Sequence, residues 1–155
     1  MRQIFLLDEN ILYHAIRRVD KNDRPDSTAA ELLVAIGRIC HRVAIHDPEI
    51  LERYHSAPKK SGEHPPRSPV ALYFLKQLAY NPSKRVMEHG EMPVSPPDFE
   101  KPRKDEHIVR AALISRPVVV TADSDLEQAI REHPHWGLKA MDARVALEFA
   151  KSELP

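Results

Sequence analysis

Acidic residues stand at four places in this chain where a predicted strand ends or a predicted helix begins. Asp8 ends the apolar run of "IFLLDENIL", and Asp123 follows the strand-like run of "VVVTADSDL". Glu31 in "TAAELL" and Asp105 in "KDEHIVRAALI" stand at helix starts. Carboxylates that converge in one cleft repel each other unless a cation neutralises them or some are protonated. Oxygen ligands without a histidine or cysteine cluster suit a hard ion, which favours Mg²⁺ or Mn²⁺ over zinc.

Each of these acids also has a simpler interpretation as part of a helix start. Asp8 stands where an N-cap residue is expected, and an acid in a first turn complements the helix dipole. Thr28 with Glu31, and Ser124 with Glu127, have the spacing of capping boxes. Local capping and a shared metal site are therefore competing interpretations of the same residues.

Strands alternate with helices along most of the chain, and they must position these acids. Apolar and β-branched runs predict strands at 3–7, 42–46, 117–121 and 137–141. Helical spacing of apolar residues predicts helices at 10–19, 28–42, 47–55, 69–80, 105–115, 123–133 and 142–153. We expect an α/β protein with a three-layer α/β/α domain and a central parallel sheet of four to five strands.

The carboxyl ends of parallel strands meet at one edge of a sheet, and ligands bind there where the strand order reverses. Asp8 and Asp123 each occupy such a strand end. If their strands are neighbours, and if the helices near Thr28 and Asp105 lean over the same edge, Glu31 and Asp105 join them. The expected site therefore depends on the strand order.

Residues 56–104 differ in composition from the rest of the chain. They hold nine of the 14 prolines, with nine basic and five acidic residues, so this segment has a net charge of +4. The whole chain has 23 basic and 23 acidic residues, so only a local patch can attract a polyanion. We expect a single domain over 1–155 with a proline-rich basic insertion at about 56–104. Its Lys101, Arg103 and Lys104 either line an RNA path or solubilise a loop.

Cysteine content and hydropathy limit the class of protein. The only cysteine, Cys40, excludes an intrachain disulfide and is expected to be a buried, reduced thiol. The apolar runs are too short for a signal peptide core or a membrane span. We therefore expect a cytoplasmic protein.

The motifs "FLLDENIL", "TAAELL", "KDEHIVRAALI" and "VVVTADSDL", in this order, resemble the PIN domain family, a compact α/β nuclease fold of the flap-endonuclease-like class. The resemblance covers nearly the whole chain except the proline-rich middle. It implies an acidic quartet of Asp8, Glu31, Asp105 and Asp123 that uses Mg²⁺ or Mn²⁺ to cleave single-stranded RNA. In that mechanism the three aspartates hold one or two metal ions, and Glu31 positions or deprotonates the attacking water.

The same resemblance implies further residues and partners. Asn10 and Thr121 would orient the metal ligands, and Asp125 is an additional candidate ligand. RNA would be the substrate, and an antitoxin protein and a second copy of the chain are candidate partners, since many small PIN proteins are toxins of toxin-antitoxin pairs and many are dimers.

Two other classes of function remain open. Glu9 stands where the family has a small hydroxyl residue, so the chain could be a PIN-like module that binds RNA or a protein without cleaving. A phosphate-accepting receiver protein is the third class. A receiver protein has a lysine at the end of a late strand. Lys139 is a poor match, because it lies within the predicted strand "GLKAM".

Overall fold

The computed structural model describes residues 2–45, 48–60, 69–87 and 105–152. Its centre is a five-stranded sheet in which every strand pairing is parallel. The strands are β1 (Ile4–Leu7), β2 (Arg42–Ala44), β3 (Arg85–Val86), β4 (Val118–Val120) and β5 (Lys139–Met141). Their order across the sheet is β3-β2-β1-β4-β5. The predicted α/β fold with a central parallel sheet is confirmed.

The middle of the sheet is formed by the most continuously apolar strands. Phe5, Leu6 and Leu7 of β1 are buried, and so are the three valines of β4. A parallel strand covered by helices on both faces needs apolar side chains in both directions, and these runs provide them. The edge strand β5 has the pattern that this explanation predicts, because its Lys139 is exposed.

Seven α-helices surround the sheet in the described parts of the chain. They are α1 (Glu9–Arg17), α2 (Thr28–Arg38), α3 (Pro48–Lys60), α4 (Pro69–Tyr73), α5 (Glu106–Ser115), α6 (Ser124–Glu132) and α7 (Ala143–Ser152). A short 3-10 turn, Pro134–Trp136, precedes β5. Within the described ranges, no helix is long and apolar enough to cross a lipid bilayer.

Part of the proline-rich middle belongs to the hydrophobic core. The single helix predicted over 69–80 changes at Phe74, where α4 continues as a π-helical segment, Phe74–Ala79. There the N–H of Tyr80 donates to the carbonyl of Leu75, five residues back, at 2.9 Å. Phe74 and Val86 are buried, and β3 pairs with β2. Residues 69–87 of the expected insertion therefore form helical turns and an edge strand.

Lys84 joins the start of β3 to the end of α2. Its Nζ donates to the carbonyl oxygens of Ile36 at 2.9 Å and His41 at 3.2 Å, and also to that of Ile39. The last carbonyls of a helix have no partner within the helix, so the Lys84 ammonium supplies a missing donor.

Both predicted capping boxes are wrong by one residue. Ser27, not Thr28, holds the N-cap position of α2, and Asp26 Oδ1 accepts from the Thr28 backbone N–H at 2.8 Å. Asp123, not Ser124, caps α6. Neighbouring serine, threonine and aspartate residues all favour the cap position, so sequence alone does not separate them.

Candidate functional site

The strand order reverses between β1 and β4, which makes the gap at their carboxyl ends the expected ligand site. The strand register pairs Leu7 with Val120. Beyond that pair, the backbone N–H of Asp8 donates to the carbonyl of Val120 at 2.9 Å. β1 and β4, the strands that precede Asp8 and Asp123, are therefore neighbours, as the predicted site requires.

The Asp8 carboxylate is held between two elements. Only 4% of the residue is exposed, and Oδ2 accepts from Thr121 Oγ1 at 2.7 Å and from Asn10 Nδ2 at 3.1 Å. Asp8 occupies the N-cap position of α1, but its side chain makes no capping hydrogen bond. The interpretation of Asp8 as a simple helix cap is therefore wrong.

The same hydrogen bonds fix the loop after β4. Thr121 is 1% exposed, and its Oγ1 accepts from the backbone N–H of Asp123 at 3.0 Å while donating to Asp8. Asn10 Oδ1 accepts from the N–H of Ala122 at 3.2 Å. Thr121 and Asn10 each contact both strand ends, which is the contact that a ligand-orienting role requires. That role stays a prediction.

Asp123 does act as a helix cap. Its Oδ1 accepts from the backbone N–H of Asp125 at 2.9 Å and of Leu126 at 3.4 Å. Asp125 is exposed in the first turn of α6. Capping and ligand binding are compatible for Asp123, since a carboxylate has two oxygens with several lone pairs.

The surroundings of Asp8 favour its protonated form. Burial raises the pKa of the Asp8 carboxyl above its ordinary range, and the hydrogen bond from Thr121 opposes this. The Glu9 carboxylate raises that pKa further, and His107 lowers it. Glu9 itself contacts Arg53, whose guanidinium donates at 3.1 and 3.2 Å. Glu9, the residue that departs from the PIN pattern, is thus held in an ion pair with Arg53.

The first turn of α5 brings His107 close enough to affect Asp8. Asp105 is half-buried at the N-cap position of α5 and does not cap the helix with its side chain. His107, two residues later, is 6% exposed and acts electrostatically on Asp8. No motif in the sequence marks His107 as a site residue. A histidine in the first turn of an amphipathic helix carries no signal that distinguishes a site residue from a core residue.

Glu31 lies in a different environment from Asp8. It is exposed, and Oε1 accepts from Ser27 Oγ at 2.6 Å. It lines a cavity of about 790 Å³, which we call the α2 groove. The groove is lined by Ala30, Val34 and Arg38 of α2, Val70 and Tyr73 of α4 and Lys151 of α7, among others.

A smaller polar cavity of about 260 Å³ adjoins the loop after β4. Thr121 and Ala122 line it together with His14, Asp26 and Asp142. Asp142 directly follows β5, as Asp8 follows β1, and its Oδ1 caps α7 by accepting from the N–H of Val145 at 2.9 Å. The sequence signal for Asp142, an acid after a strand, was present in "GLKAMDA".

Two carboxylates at the switch point are too few to form a closed metal site by themselves. Among the described residues, no group of three or more His, Cys, Asp or Glu side chains is arranged to hold a metal ion. Mg²⁺, however, is commonly bound by one or two carboxylates plus waters and substrate phosphates. Asp8 and Asp123 fit such an open site better than a closed cage of four acids.

The receiver lysine and the cysteine do not contribute to the Asp8 network in the part of the chain that the structure describes. The predicted RNA-binding residues, Lys101, Arg103 and Lys104, lie outside the described residues. Lys139 is the first residue of β5, at the amino edge of the sheet, so it cannot supply the strand-end lysine of a receiver site. Cys40 is exposed, so the expectation of a buried thiol is wrong.

Comparisons with protein-family models, with curated proteins and with solved structures found no match. The function is therefore inferred from the residues and their geometry.

Proposed function

We propose that the protein is a Mg²⁺- or Mn²⁺-dependent endoribonuclease that cleaves single-stranded RNA at the carboxyl edge of β1 and β4. The observation that carries the proposal is the link between the two strand ends. Thr121 Oγ1 joins the buried Asp8 carboxylate at 2.7 Å to the backbone of Asp123 at 3.0 Å. A fold that needed only two helix starts would not require a buried carboxylate between them.

Asp8 and Asp123 would hold the metal, and Asp105 at the start of α5 is the third candidate. Asn10 and Thr121 would keep the Asp8 oxygens in place, since both donate to Oδ2. A bound divalent ion activates water and stabilises charge on a phosphate. The N-termini of α1 and α6 also start at this edge, and their partial positive charge favours a phosphodiester group.

Glu31 is the weakest member of the proposed quartet. Its hydrogen bond to Ser27 and its position in the α2 groove separate it from the Asp8 network. The position of the attacking water would then depend on Asp8, Asp105 or Asp123. RNA is the proposed partner, and an antitoxin and a homodimer rest on the family resemblance alone.

The proposal is tested with an end-labelled single-stranded RNA. Cleavage is expected with Mn²⁺ or Mg²⁺, and EDTA is expected to abolish it. Asp8→Asn should abolish cleavage, whereas Asp23→Asn, which removes a carboxylate from an exposed loop, should not. Cleavage that survives EDTA would rule out the metal mechanism.

One observation favours a second candidate, a PIN-like module that binds RNA or a protein without cleaving. It is the position of Glu31, which lines the α2 groove and bonds to Ser27 instead of joining the Asp8 network. For this candidate, the wild-type protein would bind single-stranded RNA in an electrophoretic mobility assay but leave it intact with every divalent ion tried.

A further inference from the structure

The α2 groove has the size and lining of a small-molecule site. Its volume of about 790 Å³ lies within the range of roughly 300–1,000 Å³ that such sites occupy. Ala30 and Val34 form part of its apolar lining, and Val70 and Tyr73 of α4 face them. These four side chains are half-buried, so an apolar ligand would remove them from water.

The rim of the groove carries an excess of positive charge. Arg18, Arg38 and Lys151 line it, against the single acid Glu31. Glu31 accepts from Ser27, and among the described residues none of the three cations forms an ion pair. An apolar lining under a cationic rim is complementary to a ligand with an apolar body and an anionic group.

Two of the three cations stand at one end of the groove. Arg38 is the last residue of α2, and Lys151 lies in the last turn of α7. The two helix ends meet the same loop, because the Ala150 carbonyl contacts His41 Nε2 at 3.0 Å. Lys84 already supplies donors to the last carbonyls of α2, so Arg38 is not needed there.

One wall of the groove depends on a glycine. A Cβ atom at Gly37 would lie 2.1 Å from the hydroxyl oxygen of Tyr73, so only glycine leaves room for the Tyr73 ring. Glycine within a helix costs stability relative to alanine. At Gly37 this cost maintains the position of a side chain that lines the groove.

We infer that the α2 groove binds a small anionic amphiphile, a single alkyl chain with a carboxylate head. The head lies between Arg38 and Lys151, and the chain runs along α2 past Glu31 toward Ser27. Arg38 and Ser27 are 11 residues apart, or about 16 Å along the helix axis. Binding here does not depend on the proposed nuclease activity, since Asp8 and Asp123 do not line the groove.

The test is calorimetric titration of the full chain with dodecanoate below its micelle concentration. Saturable binding is expected at one site, and decanoate should bind roughly tenfold more weakly because two fewer methylenes leave water. Dodecyltrimethylammonium, with the opposite charge, should not bind. Combined Arg38→Gln and Lys151→Gln should weaken dodecanoate by about tenfold, because a hydrogen bond to a charged group is lost.

Matched variants separate the groove from the rest of the surface. Val34→Asp places a charge in the apolar lining and should abolish binding, whereas Arg131→Gln on exposed α6 should not change it. Thermal melting of each variant establishes that it is folded. The exposed Arg38 and Lys151 variants keep the test valid if Val34→Asp does not fold.

Three results of the titrations would overturn the inference. They are no saturable binding of dodecanoate, equal binding of the cationic amphiphile, and unchanged binding by both groove variants. Binding only to vesicles of anionic phospholipid would also overturn it, since it would indicate a membrane surface rather than a site for one molecule.

Discussion

The carboxyl-edge site and the α2 groove place their charges in opposite ways. At the carboxyl edge, Asp8 is buried and two side chains fix one of its oxygens. In the groove, Arg38 and Lys151 are exposed above an apolar lining. A buried polar group costs free energy unless its hydrogen bonds are complete. The first arrangement therefore has the fixed geometry that chemistry requires, and the second attracts a ligand without orienting it rigidly.

Glu31 shows that a residue's motif does not determine the region to which it belongs. By sequence it belongs with Asp8, but by position it lines the groove and contacts Ser27. Acids that follow one family's motif order can thus belong to two different regions of the same fold. Substitutions in each region test whether the two are as separate as their contacts indicate.

The largest expected effect is on catalysis. Asp8→Asn should lower metal-dependent RNA cleavage by at least about 100-fold, the lower end of the loss when one preorganised group at a reacting centre is removed. Glu31→Gln should change the rate by less than about threefold if Glu31 belongs to the groove, because exposed charges contribute little. Initial rates at saturating Mn²⁺ give both values. Equal losses of cleavage rate in the two variants would indicate that Glu31 and Asp8 act in one site.

Thr121→Val should be the most destabilising change at the carboxyl edge. It removes the donor to Asp8 Oδ2 and the acceptor for the Asp123 N–H, and leaves buried groups without partners. The expected loss in the free energy of unfolding is about 1–3 kcal/mol. Urea denaturation measures it. Thr121→Ser, which keeps the hydroxyl, serves as the control and should retain most of the stability.

Gly37→Ala should destabilise the wall of the α2 groove. Alanine in a helix normally stabilises by roughly 0.5–1 kcal/mol over glycine, but here the new methyl would meet Tyr73. Crowding of this kind costs about 1–3 kcal/mol, so a net loss is expected. Tyr73→Phe removes the hydroxyl and should restore part of the stability in the double variant, because the ring carbon Cζ would still lie 3.0 Å from the new Cβ. A Gly37→Ala protein that melts above the wild type would show that Tyr73 lies elsewhere.

The smallest effect is the dependence of stability on pH at Asp8. Because its folded pKa is raised, the ionised carboxylate costs stability above that pKa, and the cost disappears as pH falls toward the unfolded value of about 3.9. Asp8→Asn should therefore melt above the wild type at pH 7, and each kcal/mol gained would raise the melting temperature by roughly 2–4 °C in a domain of this size.

Melting curves of both proteins from pH 7 to pH 4 test this prediction. The difference between the two melting temperatures should shrink as the pH falls. A difference that does not change with pH would mean that the charge of Asp8 is not the cause.

Sequence patterns predicted most of the fold because each central strand is a continuous apolar run. They missed β3, since Arg85–Val86 is too short to show any period. They also missed the π-helical segment, because α- and π-helices bury nearly the same apolar positions over six residues.

For the site, strand ends predicted the positions of Asp8 and Asp123, because parallel strands bring such ends together. Glu31 was assigned by its motif, and the motif does not specify which face of α2 it occupies. The electrostatic effect of His107 on Asp8 depends on where the first turn of α5 lies in the fold, and no local pattern encodes that.

The pairing of β1 with β4 also determines when the carboxyl-edge site can form during synthesis. Asp8 and Thr121 are 113 residues apart in the chain, so the ribosome makes one partner long before the other. At roughly 5–20 residues per second, this interval lasts about 6 to 20 s. During that time Asp8 lacks Thr121 and the neighbouring strand. A nascent chain therefore carries no assembled site until β4 and Thr121 have been translated.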